Sequence, residues 1–208
     1  MSTDPTTEQP GPKRRGSYPK GQAKRQEIVD AALVVFGRSG WHSGSMREIA
    51  KRVGLTPAGL LHHFKDKEEL FTEVLRQRDQ AVQAAAGDVT ELHLIDQVRN
   101  VVAYNQTTRG LTSLYTVVSA EATDLEHPAH AEFARRYAAS ATSTAEVLAE
   151  AQRDGLIRPD IDPAHAARLI AAVMDGLQVQ WLLDEQVDMS AVFDDFVRGY
   201  LGPAPAAD

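Results

Sequence analysis

At 208 residues, with 43% hydrophobic and 25% charged residues, the chain has the composition of an ordinary folded protein and room for one or two domains with a sizeable core. It holds no cysteine, which excludes disulfides, thiolate nucleophiles and thiolate metal sites, and no run of about 18 apolar residues that would cross a bilayer. The net charge of −7 is unevenly distributed: residues 1–67 carry 12 Lys/Arg against 6 Asp/Glu, a balance of +6, and the remainder 10 against 23, a balance of −13, so a polyanion would meet the front of the chain and be repelled by its body.

Residues 1–19 are rich in Pro, Thr and Gly, lack periodicity and read as a disordered arm. No apolar segment of the kind found in a secretory signal is present there, so a cytoplasmic location is expected. The arm carries Lys13, Arg14 and Arg15, and the basic cluster continues through Lys20, Lys24 and Arg25. Ordered structure is expected from Lys20. Ile28, Ala31, Ala32, Val35 and Phe36 recur at i, i+3, i+4, i+7 and i+8, the stripe of an amphipathic helix. The segment Gly37–Gly44, GRSGWHSG, is expected to break it. Ser45 with Glu48 three residues on makes a capping-box pattern for a second, short helix that stops at Gly54. Thr56 caps a third, with Pro57 at its first position, ending near Phe64. Asp66 caps a fourth helix with Leu70, Phe71, Val74, Leu75 and Val82 on one side.

Beyond Ala86 the pattern stays helical. Gly and Pro punctuation sets helices at about 90–108, 110–124, 128–154, 163–184 and 190–201. Alternating β-branched runs are absent. The expected fold is all-α: the arm at 1–19, a small N-terminal three-helix unit at 20–66, and a larger helical body at 67–208.

The stretch SMREIAKRVGLTPAGLLHHF meets the requirements of a helix-turn-helix. Ala50 is small where the helices touch, Gly54 tolerates the turn conformation, and Ile49, Val53, Leu55 and Leu60 lock the crossing. Phe64 would plug the end of the second helix. On DNA, the first turn of the recognition helix presents Thr56, Pro57, Ala58 and Gly59, small side chains that let backbone approach base edges. Ser45 and Arg47 reach the DNA backbone or a groove edge, Lys65 and Lys67 the flanking phosphates, and Arg14, Arg15 and Lys20 the adjacent minor groove.

Residues Arg47 to Leu70, REIAKRVGLTPAGLLHHFKDKEEL, resemble the DNA-binding signature of the TetR family of bacterial transcriptional regulators, and the likeness runs from the first helix through the fourth. The family usually carries a phosphate-touching Tyr where this chain has Leu61, which has no hydrogen-bonding group; His62 or His63 would then take over that contact. The two histidines sit about 100° apart on a helix and cannot chelate one ion as an i, i+4 pair does. A second pair, His127 and His130, has i, i+3 spacing with Asp124 and Glu126 nearby, but it spans a loop and a helix start, so the expected role of Pro128 is to open a helix. No cofactor and no metal site are expected.

The resemblance implies a homodimer with a small-molecule effector, released from a palindromic operator on binding it. For the dimer, two C-terminal helices offer Leu169, Val173, Leu177, Val192, Phe193 and Phe196. For the effector pocket, aromatic and polar groups are spaced along the body: Tyr104, Asn105, Thr108, Tyr115, Ser119, Met174, Gln178 and Trp181. Arg135 and Arg136 read as solvated helix surface. Two rival readings remain at this point: a DNA-binding regulator controlled by a protein partner, which predicts a filled core, and a metal-dependent enzyme, for which no phosphate loop, metal triad or nucleophile elbow is present.

Overall fold

A computed structural model describes residues 18–87 and 94–202. The described residues are helical throughout, with no strand. The helices are α1 Tyr18–Ser43, α2 Met46–Arg52, α3 Pro57–Leu61, α4 Lys67–Ala86, α5 Leu94–Thr107, α6 Arg109–Glu121, α7 His130–Arg153, α8 Pro163–Leu183 and α9 Met189–Phe196, the last continued by a wide π-helical turn, Val197–Leu201.

Several boundaries differ from the sequence expectation for identifiable reasons. Gly37 does not end α1. Its missing side chain lets α6 approach: a Cβ there would lie 3.2 Å from the Gly110 carbonyl oxygen, and Ser113 Oγ donates to the Gly37 carbonyl at 2.6 Å. The break comes at Gly40, with φ 68° and ψ −172°, a conformation nearly restricted to glycine. Ser45 precedes α2 in extended conformation but makes no side-chain capping bond; Glu48 pairs instead with Arg52 one turn on, at 3.0 Å. Pro128 does not open α7, which begins at His130. By contrast Thr56, Asp66 and Asp162 cap α3, α4 and α8 through their side chains.

The core has two centres. The first gathers Ile28, Phe36, Ile49, Leu60, Phe64 and Phe71 with Leu114, Val118 and Phe133, so α1–α3 share one interior with α4, α6 and the start of α7. The second packs α5, α7, α8 and α9 around Val102, Leu148, Ile170, Leu177, Trp181 and Phe193. The chain therefore forms a reading head seated on the body through α1 and α6, with α4 running from one to the other.

Candidate nucleic-acid interface and interior cavity

The helix-turn-helix assembles as its residue types dictate. Ile49, Ala50, Leu60 and Phe64 are fully buried and Val53 nearly so. Gly54, at φ 67°, lets the Leu55 N–H reach back to the Ala50 carbonyl at 2.9 Å, the bond of a left-handed helix stop. The Thr56 hydroxyl accepts the Gly59 N–H at 3.0 Å. A Cβ on Gly59 would stand 3.3 Å from that hydroxyl, so glycine keeps the first turn of α3 tight.

What remains outward on α3 is Thr56, Pro57, Ala58, Leu61 and His62, with Gly59 and His63 half-exposed. Of the basic and polar residues expected at the interface, Lys20, Arg47 and Lys65 are exposed and Ser45 half-buried. Arg14 and Arg15 lie outside the described residues. Lys67 differs from the expectation. Its ammonium donates to the Trp41 carbonyl and lies 4.6 Å from the Trp41 ring centroid, and burial lowers its pKa. It ties α4 to the end of α1 rather than standing free beside a phosphate. Lys24 and Arg25, from the basic cluster, also turn inward. Lys24 Nζ donates to the Val53 carbonyl at 2.8 Å. Arg25 stacks on Phe64 at 3.8 Å, donates to the His63 carbonyl and pairs with Glu69 at 3.0 Å, so two cations brace the ends of α2 and α3.

His127 and His130 serve the backbone. His127 is buried and its Nδ1 accepts the Ala129 N–H at 3.1 Å, while His130 Nδ1 lies 2.8 Å from the Ala122 carbonyl. Together they shape the turn between α6 and α7.

Between α4, α5, α6, α7 and α8 lies a partly open cavity of about 160 Å³. Asn105, Tyr115, Met174 and Gln178 line it, as the sequence suggested. So do Arg78, Arg136, Tyr137 and Asp175, which it did not. Four polar atoms on this wall are buried without a partner: Arg78 Nε, both amide atoms of Asn105, and Gln178 Oε1. The Arg78 guanidinium lies over the Tyr115 ring, 4.1 Å from its centroid. Its Nη1 is 3.3 Å from Asp79 Oδ1, and Asp79 also receives both Nη groups of Arg136. Arg136 is thus a half-buried ion-pair residue and not the solvated surface expected; Arg135 is exposed and pairs with Glu132. Tyr137 Oη donates to Asp175 Oδ2 at 2.6 Å. Burial pushes the Asp175 carboxyl up and the Tyr115 and Tyr137 hydroxyls up as well.

The remaining pocket expectations resolve differently. Ser119 joins Tyr115 in a neighbouring depression of about 400 Å³. Thr108 donates to the Tyr104 carbonyl at 2.9 Å and stabilises the α5–α6 turn, so neither lines the cavity. Trp181 belongs to the second core. So do Leu177 and Phe193, 4% and 0% exposed, which removes both from the outer face of α8 and α9. That face carries Leu169, Val179, Leu183 and Val192, all exposed, with Val173 and Phe196 half-buried at its edge. No helix among the described residues is long and apolar enough to cross a membrane.

Two sequence-family descriptions match the chain. "Bacterial regulatory proteins, tetR family" covers residues 28–74, and "BetI-type transcriptional repressor, C-terminal" covers residues 94–202. The HTH-type transcriptional regulator UidR of Escherichia coli K12 is 27% identical over 186 residues, spanning 88% of this chain and 93% of that one. Among solved structures, a transcriptional regulator from Saccharomonospora viridis in complex with choline superposes with a TM-score of 0.70 at 24% identity, covering 87% of this chain and 98% of that one. Salmonella enterica GusR does so with a TM-score of 0.62 at 25% identity, covering 86% and 95%. A helix-turn-helix head matching one description, on a helical body matching the other, makes this chain a member of the TetR family of bacterial regulatory proteins, the DNA-binding regulators of transcription.

Proposed function

We propose that the chain acts in the cytoplasm as a homodimeric repressor that holds a palindromic operator through α3 and releases it when a small molecule enters the body. The observation that carries this reading is the pairing of an outward, small-residue α3, with Arg47 and Lys65 exposed on the elements before and after it, with a cavity in the body lined by residues that hold four unpartnered polar atoms. A two-fold dimer supplies two recognition helices about one DNA turn, about 34–36 Å, apart. The exposed apolar side chains of α8 and α9 provide the surface for it. Thr56, Pro57, Ala58 and Gly59 face base edges, and His62, His63, Lys65, Arg47, Ser45, Lys20, Arg14 and Arg15 serve phosphates or groove edges.

The coupling runs along α4. Its first residue, Lys67, is bonded to the end of α1, and Arg78 on the same helix faces the cavity, about 16 Å further along at 1.5 Å per residue. A ligand that engages Arg78 differently in two positions of α4 changes the spacing of the two heads, to the extent of its differential affinity for those positions. A regulator worked by a protein partner would have a filled core, and the cavity favours a small ligand over it.

Selection from random-sequence duplex DNA tests the reading. The expected result is enrichment of an inverted repeat by the native chain, lost in Arg47→Ala and in the double substitution of His62 and His63 by alanine. Salt-sensitive binding with no enriched sequence would leave only electrostatic attraction to DNA and end the operator reading.

A further inference from the structure

We propose that the cavity takes a small carboxylate, seated on Arg78 and Asn105, and discriminates against cations of the same size. This deepens the repressor reading and rests on it for the consequence of binding.

The polar inventory of the wall states what is missing. Arg78 Nε and Asn105 Nδ2 are donors without acceptors; Asn105 Oδ1 and Gln178 Oε1 are acceptors without donors. The three side chains are 6%, 1% and 3% exposed, and an unmade hydrogen bond at a buried polar atom is costly. The four atoms are enclosed, but their residues line one pocket; a molecule that accepts two hydrogen bonds and donates through a hydroxyl or similar group satisfies them once the side chains turn toward it. A carboxylate supplies the acceptors and matches a guanidinium edge in geometry and charge.

Charge decides the sign of the ligand. Arg78 has Asp79 beside it at 3.3 Å, but that carboxylate already takes both Nη groups of Arg136, which also lies 3.9 Å from Glu132, so the charge of Arg78 is the less compensated of the two. The other carboxyl group on the wall, Asp175, is held by the Tyr137 hydroxyl, and its burial disfavours the ionised form. Arg78 lies over a face of the Tyr115 ring, which takes that face from a quaternary ammonium. Such a cation would meet two guanidiniums. Size sets the rest: 160 Å³ is below the roughly 300–1,000 Å³ of pockets for drug-sized molecules. Val82, Val101, Ala171 and Met174 give the lining its apolar part, with Ser140 at its exposed edge, so the part of the ligand beyond its polar groups is a short aliphatic chain.

The test is the thermal midpoint of the purified full-length chain with butanoate, hexanoate, 6-hydroxyhexanoate, hexanamide and choline, each titrated into the millimolar range. The carboxylates are expected to raise the midpoint, the hydroxy acid most, and hexanamide and choline to leave it unchanged. Arg78→Gln should weaken carboxylate affinity about ten- to a hundredfold, with Arg78→Lys retaining part of it. Each variant's ligand-free midpoint is its own baseline. Asn105→Leu, which makes the same space apolar, should also lose the response if Arg78→Gln proves too unstable to titrate. Stabilisation by choline or hexanamide equal to that by hexanoate would overturn the proposal. So would a carboxylate response unchanged in Arg78→Gln and Asn105→Leu, or no response to any carboxylate. A chain that selects an inverted repeat but ignores carboxylates loses only the ligand class. A chain that selects no DNA loses the repressor reading, whatever its thermal response.

Discussion

Glu121 and Trp41, 80 positions apart in the chain, are joined by a hydrogen bond in which Glu121 Oε2 accepts the Trp41 backbone N–H at 2.6 Å. Glu121 is the last residue of α6, and Trp41 the first after the break in α1 at Gly40. The Trp41 carbonyl receives the Lys67 ammonium, and its ring packs on Phe71 with centroids 4.9 Å apart. One residue of the head is thus held by the body through its N–H and by the connecting helix through its carbonyl and ring.

Gly40→Ala is expected to damage this junction in two ways. The backbone there has positive φ, and a Cβ would fall 2.1 Å from Glu121 Oε1. The carboxylate can swing clear, but only by giving up the Trp41 N–H. Backbone strain and the lost bond together should lower stability by about 2–4 kcal/mol. Glu121→Leu, which removes the bond without the strain, should cost about 1–2 kcal/mol. Denaturant unfolding of the two variants checks the order, and a Gly40→Ala variant as stable as the native chain would show that the backbone there is free to relax.

The recognition surface separates charge from hydrogen bonding. Lys65 is 86% exposed; if it sits on a phosphate, Lys65→Ala should weaken binding to specific and random duplexes alike and reduce the slope of log affinity against log salt by about one. Leu61 is half-exposed at the end of α3. Leu61→Tyr restores the hydroxyl usual in the family and should tighten binding about five- to tenfold with the salt slope unchanged, because the new bond releases no counterion. Titrations at several salt concentrations distinguish the two effects.

The elements legible in the sequence were those written in local chemistry. Thr56 and Asp66 cap their helices through side chains as their neighbours implied, and the apolar stripe from Ile28 to Phe36 is the buried face of α1. What escaped depends on partners distant in the chain. Gly37 looks like a breaker until α6 is seen against it, and Lys67 looks like a phosphate ligand until the Trp41 carbonyl is seen beside it. Arg78 and Asp175 did carry a signal, each being a charge between apolar residues one turn away on its own helical face, Val74 and Val82 for the first, Ala171 and Val179 for the second. Leu177 and Phe193 read as interface residues in the sequence because apolar periodicity does not distinguish one's own core from a partner's.

That distinction gives a stability test for the α8–α9 surface. Leu169 and Val192 are 41% and 46% exposed; if they lie between two copies, Leu169→Glu with Val192→Glu should shift the chain from dimer to monomer in sedimentation and reduce operator affinity, with helix content retained. Leu177→Ala and Phe193→Ala should lower stability by about 2–5 kcal/mol through the cavities they leave. A Leu169→Glu, Val192→Glu chain that remains dimeric would move the interface elsewhere.

Asp175 links the cavity to pH. Burial pushes its carboxyl above the ordinary value of 3.8, against the opposing pull of the Tyr137 hydroxyl and the Arg78 charge. Between the unfolded and folded pKa values the native chain holds a proton that the unfolded chain has lost, so this group's stabilising contribution is full below the unfolded value and is lost as pH rises through the folded one. Asp175→Asn keeps an acceptor for the Tyr137 hydroxyl and removes the buried charge. The variant's thermal midpoint relative to the native chain should therefore rise with pH through the carboxyl range and level off above it. Tyr137→Phe removes the donor that favours the ionised form, so the native-like loss of stability with pH should extend to higher pH in that variant. If Asp175→Asn is instead less stable by a margin that grows with pH, the ionised carboxylate is stabilised by Arg78 more than burial penalises it. The cavity would then be nearly charge-balanced, and its preference for an anion correspondingly weak.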